Sequence, residues 1–299
     1  MKLFDLSGRV AIVTGGNGGI GLGMARGLAR CGASVMVAAR DRAKNAAAVE
    51  EISGLEAEAA AIETDVTSED SCKAMVAATV ERFGRLDILV NNAGTNVRKQ
   101  PEEYTLAEWQ RILETNLSSA FMCSQAAYPA MKAAGGGKII MIGSMMSIFG
   151  ASFTAPYAAT KGGIVQMAKA MACAWGKDNI QVNSVLPGWI DTALTQRARR
   201  DIEGLQERVV ARTPAGRWGD PEDSPASPRS SRAPPPTSSP APRSRSTAAT
   251  RSRADRWWSA PSLHTAICEM RVSSREVLQG RLLLQLSAGL LWPLHQSQH

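Results

Sequence analysis

Six short apolar runs constrain this chain more than any other feature: Val10–Val13, Val35–Ala38, Ala59–Ile62, Leu86–Val90, Ile139–Ile142 and Ile180–Val185. Apart from Asp87 in the fourth and Gln181, Asn183 and Ser184 in the sixth, they are apolar on both faces rather than alternating, the pattern of strands in a parallel sheet covered on both sides. Between two of them Cys72, Met75, Val76, Thr79, Val80 and Phe83 recur at helical spacing; Ile164, Met167, Ala168, Met171, Ala172 and Trp175 do the same later. Strand–helix–strand repetition with right-handed crossovers predicts an α/β fold, a Rossmann-type doubly wound parallel sheet in a single domain over residues 1–223. Its ligands belong at the carboxyl ends of the strands.

Charge changes at the same boundary. The 299 residues include 34 Lys+Arg and 27 Asp+Glu. Residues 1–223 hold 24 of each, so the formal excess of +7 lies wholly in residues 224–299. All three histidines, His264, His295 and His299, lie there too. A body without imidazole excludes His-based triads, His-ligated zinc and Cys-His nucleophiles, and no metal site is expected. Five cysteines with no CxxC pair suggest buried free thiols in a reduced, cytoplasmic protein. No long apolar run follows Lys2, so no signal peptide is expected. The run Leu282–Leu294, interrupted by Gln285 and Pro293, is too short to cross a bilayer. Residues 224–253 use only five residue types, with nine Ser, seven Pro and six Arg among them, a composition that predicts disorder.

Three clusters carry chemistry. After the first run, Thr14-Gly15-Gly16-Asn17-Gly18-Gly19-Ile20-Gly21 leads into a helical pattern. Glycines there allow a sharp turn and close approach of a pyrophosphate to a helix N-terminus, so a dinucleotide site is expected. At the end of the second run, Ala39 fills the slot where an acid would bond the ribose of NAD, and Arg40 follows. This favours NADP over NAD, through the 2′-phosphate; the alternative is a solvated Arg40 with Asp41 serving the ribose. Tyr157 and Lys161 stand one turn apart at the start of an amphipathic helix, where an ammonium would make the phenol more acidic and the pair a general acid/base. Read alone, such a pair is by default a surface feature without a role. Of the tryptophans, Trp109, Trp175 and Trp218 read as packing residues, while Trp189 beside Pro187-Gly188 is placed to face a pocket.

Together, TGGNGGIG, Asn91-Asn92-Ala93-Gly94, Asn116, Ser144, Tyr157-x-x-x-Lys161 and Pro187-Gly188 resemble the ordinary single-domain short-chain dehydrogenase/reductases, over roughly residues 5–223. The resemblance implies that Tyr157 exchanges a proton with the substrate oxygen and that Ser144 hydrogen-bonds the same oxygen. Lys161 would hold the nicotinamide ribose and lower the Tyr157 pKa, and Asn116 would support a water-linked proton relay. Gly15, Asn17, Gly19, Ile20 and Gly21 would cradle the pyrophosphate, with Asp65 and Val66 at the adenine. Asn92, Ala93 and Gly94 would line the ribose side, and Pro187, Gly188, Ile190 and Thr192 the nicotinamide end. Hydride chemistry of this kind needs orientation and one proton, and no metal.

Within that family, NNAGTNVRK at 91–99, SMMS at 144–147, NIQVN at 179–183 and RTPAGRWGDP at 212–221 are most similar to gluconate 5-dehydrogenase and related sugar-acid dehydrogenases. Arg98 then either forks to a substrate carboxylate or is a solvent-facing loop residue, and Met145 forms a substrate wall or fills core. Reductases of 3-oxoacyl carrier-protein substrates share most of these motifs. The expected partner is a small alcohol or ketone, with neither membrane nor nucleic acid expected, and a homotetramer implied by the family.

From Ser224 the family pattern stops. Members continue with an apolar helix, a last strand and a closing turn such as Val-Asp-Gly-Gly-Tyr. Its codons, read one base later, give the Ser-Thr-Ala-Ala-Thr found at 246–250. The expectation is a shifted reading frame, which replaces the last strand and helix with a low-complexity tail. That would expose a sheet edge, put the tetramer in doubt and leave a cofactor-binding protein with impaired catalysis as the alternative.

Overall fold

The computed structural model describes residues 5–223. The tail from Ser224, with the expectations of disorder, a shifted frame and a missing last strand, lies outside the described residues.

All six expected strands form: β1 (Val10–Thr14), β2 (Ser34–Ala39), β3 (Ala59–Glu63), β4 (Ile88–Asn91), β5 (Gly137–Ile142) and β6 (Ile180–Val185). They pair in parallel in the order β3-β2-β1-β4-β5-β6. The order reverses between β1 and β4, which opens a crevice above their carboxyl ends.

Helices cover both faces. On one, α1 (Gly19–Arg30) and α2 (Arg42–Ser53) bury Met24, Leu28, Ala48 and Ile52 against Ala11, Val13, Val35, Val37 and Val90. On the other, α3 (Glu69–Phe83), α5 (Ser119–Ala133) and α6 (Ala155–Trp175) bury Met75, Cys123, Met131, Ile164 and Met171 against Ile12, Met36, Leu89, Ile139 and Val182. Ala11 and Val13 thus face one layer and Ile12 the other, which is why β1 is continuously apolar. Each fully buried large side chain contributes roughly 1.5–3 kcal/mol.

Two strand expectations are corrected. β4 starts at Ile88 rather than Leu86, because the preceding Asp87 turns its carboxylate to Arg9 and Arg85 and to the backbone N–H of Val10. β3 is half exposed rather than covered, since it is the edge strand. Nor are all the thiols buried: Cys72 and Cys123 are, but Cys173 is exposed. Trp175 packs on Tyr128, whereas Trp109 stands 37% exposed on α4 (Leu106–Leu113), contrary to the packing role expected of it.

After β6 the chain forms α7 (Ala193–Asp201) and α8 (Leu205–Arg212), which pack with Trp218 into a small separate cluster. A bridge between Ile190 and Gly219 closes the base of this cap. Beyond it, Pro221–Asp223 lies along α1, where Glu222 pairs with Arg26 and Arg30.

Candidate active site

The glycine turn has the geometry an anion needs. Gly15 (φ +63) and Gly19 (φ +52) adopt the left-handed region that favours glycine. A Cβ on Gly21 would stand 2.3 Å from the Gly15 carbonyl oxygen, so only hydrogen fits. No side chain caps the N-terminus of α1 and no acid occupies its first turn, which leaves its N–H groups and positive dipole for a phosphate. A dinucleotide pyrophosphate fits this cradle.

Thr14 ties the turn to the next strand. Its hydroxyl accepts from the N–H groups of Asn92 (3.0 Å) and Ala93 (3.1 Å), while the Asn92 amide donates to the Thr14 carbonyl (2.9 Å). The Cβ position of Gly19 lies 3.1 Å from Thr192, which caps α7. Gly15, Gly19, Gly21, Asn92, Ala93 and Thr192 are therefore brought together, with half-buried Ile20 on α1 beside them.

At the outer end of the crevice, Arg40 is exposed and close enough to Asp65 for its charge to act on that carboxylate. Both acids here are held below the usual carboxylate range by local bonds. Asp65 accepts from the N–H and hydroxyl of Thr67, and Asp41 accepts from the Lys44 N–H at 3.0 Å as the cap of α2. The Asp41 carboxylate is thus engaged by its own helix, which weighs against the alternative that it serves a ribose. Val66 is buried beneath.

On the other side, α6 begins just after Thr154, whose hydroxyl donates to the Ala151 carbonyl, and Tyr157 falls in its first turn with Lys161 one turn on. Lys161 is 4% exposed; its ammonium donates to the Ile142 carbonyl at 2.7 Å and lies 5.6 Å from the centre of the Tyr157 ring. Burial pushes the Lys161 pKa down to about 8. Burial also pushes the Tyr157 phenol above its ordinary value, although a hydrogen bond with Ser144 and the charge of Arg98 pull it back. The expectation of a phenol more acidic than usual is not met: desolvation exceeds both favourable contacts, and the Lys161 ammonium is turned to the Ile142 carbonyl.

Asn116 lies in a π-helical turn (Glu114–Ser118) between α4 and α5. Its carboxamide accepts from the Thr95 N–H (2.7 Å) and donates to the Thr95 carbonyl (2.9 Å) and the Thr160 hydroxyl (3.2 Å). The Cβ position of Gly94 is 3.3 Å from Asn116 and 3.7 Å from the Lys161 ammonium. Ser144, just past β5, accepts from the Met146 N–H, and its own N–H donates to Ser147, whose hydroxyl donates to the Lys161 carbonyl at 2.7 Å. Thr14, Thr95 and Ser147 lie within the quoted motifs but carry no role there, and Thr160 is the variable residue just before Lys161. Of these, Ser147 had a local signal, the Ser-x-x-Ser spacing of a capping box.

The remaining candidates form the rim. Arg98 is half buried and donates to the Leu194 carbonyl at 3.3 Å; burial lowers its pKa, while the charges of Asp201 and Tyr157 raise it. The Met145 N–H donates to the Pro187 carbonyl, which sets the Pro187-Gly188 turn beside Ser144. Ile190 sits in the bridge at the base of the cap. Trp189 packs edge-on against Trp218, ring centres 5.4 Å apart, so its ring belongs to the cap cluster. Among the described residues, no three His, Cys, Asp or Glu cluster to hold a metal, and no helix is long and apolar enough to cross a membrane.

Comparison with known proteins supplies relatives for this geometry. The family model for short-chain dehydrogenases matches residues 9–203. A gluconate 5-dehydrogenase from Gluconobacter oxydans is 41% identical over 225 residues, 74% of this chain and 86% of that protein. A 2-dehydro-3-deoxy-D-gluconate 5-dehydrogenase from Escherichia coli is 38% identical over 75% of this chain and 87% of its own length. A solved structure from Beutenbergia cavernae with NADP bound at low occupancy is 38% identical, with a TM-score of 0.69 over 74% of this chain and 87% of that one.

Proposed function

Because this chain belongs to the short-chain dehydrogenase family, we propose that it is an NADP-preferring oxidoreductase interconverting a secondary alcohol and a ketone on a sugar acid such as gluconate. The observation that carries this reading is the Ser144–Tyr157–Lys161 constellation at the strand ends beside an uncapped glycine turn.

NADP supplies the hydride acceptor for oxidation or, reduced, the donor. The protein supplies the proton and the geometry. With its pKa raised, the Tyr157 hydroxyl is protonated at neutral pH and fit to give its proton to a carbonyl oxygen during reduction. Ser144 donates to the same oxygen. Lys161, charged below about pH 8, offsets the negative charge left on the phenolate. Asn116 keeps Thr95 and Thr160 in place around that pair.

Residues 1–223 form the catalytic domain in this reading. Gly15, Asn17, Gly19, Ile20 and Gly21 hold the pyrophosphate, Arg40 pairs with the 2′-phosphate, and Asp65 and Val66 border the adenine. Asn92, Ala93, Gly94, Tyr157, Lys161, Pro187, Gly188, Ile190 and Thr192 line the nicotinamide riboside. Half-buried Arg98, already in electrostatic contact with Tyr157, is suited to a bidentate grip on a substrate carboxylate. Exposed Leu106, Trp109 and Phe121 on α4 and α5 support assembly into a homotetramer, and the cysteine usage supports a cytoplasmic setting. A second reading, reduction of a 3-oxoacyl thioester, is favoured by exposed Ile148 and Phe149 next to the Ser144 turn.

Loss of NADPH absorbance with a ketone panel tests the choice. Turnover of 5-keto-gluconate in preference to neutral ketones supports the sugar-acid reading. Turnover of 3-oxoacyl thioesters alone supports the second. Cofactor binding with no turnover contradicts both.

A further inference from the structure

The core-facing stripe of α2 consists of Asn45, Ala48 and Ile52. Asn45 holds its first position, 3% exposed, where a leucine would dock the helix without the cost of burying a carboxamide. Its bonds explain the amide. Its Oδ1 accepts from the Asn17 amide in the glycine turn at 2.7 Å. Its Nδ2 donates to the Ala39 carbonyl at the end of β2 at 2.7 Å and reaches the Ile62 carbonyl of β3 at 3.5 Å. One buried side chain thus cross-links the turn after β1 to the carboxyl ends of β2 and β3. Ala39 directly precedes Arg40, and Asn17 lies within the glycine cradle.

We infer that Asn45 is a positioning residue for the adenosine half of the dinucleotide, holding the pyrophosphate turn and the Arg40-bearing strand end in one register and so helping to set the preference for NADP over NAD. This rests on the cofactor reading above. The two links have separable consequences. The bond to Asn17 shapes the pyrophosphate turn, which both dinucleotides use. The bond to Ala39 fixes the backbone leading to Arg40, which matters only where a 2′-phosphate is present. A side chain that merely docks α2 has neither signature.

Dissociation constants for NADPH and NADH, measured by fluorescence titration of the full chain, test this with Asn17→Ala, Asn45→Leu and the double variant. Asn17→Ala should weaken both dinucleotides about threefold to tenfold, the worth of one hydrogen bond. Asn45→Leu should weaken NADH by a similar factor and NADPH by about threefold more. The double variant should bind no worse than Asn45→Leu alone, because both changes break one link. If Asn45→Leu does not fold, Asn45→Ala takes its place with the same expected ratios. Unchanged affinities in a folded Asn45 variant, equal losses for both dinucleotides, or additive losses in the double variant overturn the inference while the cofactor reading stands. Failure of the unsubstituted chain to bind either dinucleotide overturns both.

Discussion

At the ends of β1, β2 and β3 the charged side chains Arg40, Asp41 and Asp65 stand exposed, and the crevice is shaped by backbone and by neutral amides such as Asn17 and Asn45. At the ends of β4, β5 and β6 the balance is reversed. Lys161 is buried, Tyr157 and Arg98 are partly so, and all three have pKa values moved by desolvation. The sheet therefore meets its ligand with two kinds of chemistry. The first half holds a shape, so substitutions there should act on binding. The second holds charge away from water, so substitutions there should act on rate and on pH dependence.

Lys161→Met is the most severe way to break this comparison on the charged side. Turnover with NADPH should fall about 10²–10⁴-fold, the usual worth of acid–base assistance. The melting temperature should not fall, because the change also removes a buried ammonium whose lowered pKa marks it as a cost to the fold. A clear loss of melting temperature would show that the bond to the Ile142 carbonyl outweighs that cost.

Gly21→Ala is the counterpart in the shaped half. Its Cβ would fall 2.3 Å from the Gly15 oxygen and 2.4 Å from the Asn92 amide, so the turn must move. NADPH affinity should drop about tenfold or more, with a strain cost of about 1–3 kcal/mol in urea unfolding. Retained affinity would mean that the turn is not a cradle. A smaller change sharpens the same half: Arg40→Asp should lower the ratio of NADPH to NADH affinity about tenfold, from loss of one charge-assisted contact. An unchanged ratio would remove Arg40 from the 2′-phosphate.

The same buried ammonium also predicts a pH effect on stability. The Lys161 pKa of about 8 in the folded chain lies below the unfolded value near 10.4, so the unfolded chain binds more protons between them. The contribution of this group to stability must then rise from about pH 8 to about pH 10. The unfolding free energy of the unsubstituted chain minus that of Lys161→Met should increase across that window. A flat difference would mean that the ammonium is not desolvated.

The contrast between the halves also marks what could be read before any coordinates. Strand positions follow from local apolar composition, and the glycine turn and the Tyr157–Lys161 pair from spacing within one element, so these were legible. Side-chain contacts between distant segments were not. Asn45 meets Asn17 across 28 residues, and Arg98 acts on Tyr157 from a different loop, with no local pattern announcing either. The start of β4 is not legible in composition because Asp87 interrupts its run, and the exposure of β3 is not because alanines read alike at an edge and in a core. The direction of the Tyr157 shift depends on burial, which a helix spacing alone does not give.

In the proposed function the hydroxyl of Tyr157 is the proton donor on which catalysis in this site depends. Measured side by side, Tyr157→Phe should retain NADPH affinity within a few-fold and lose turnover of every ketone the unsubstituted enzyme accepts. A phenylalanine enzyme that still reduces its ketone at a substantial fraction of the original rate would contradict that role.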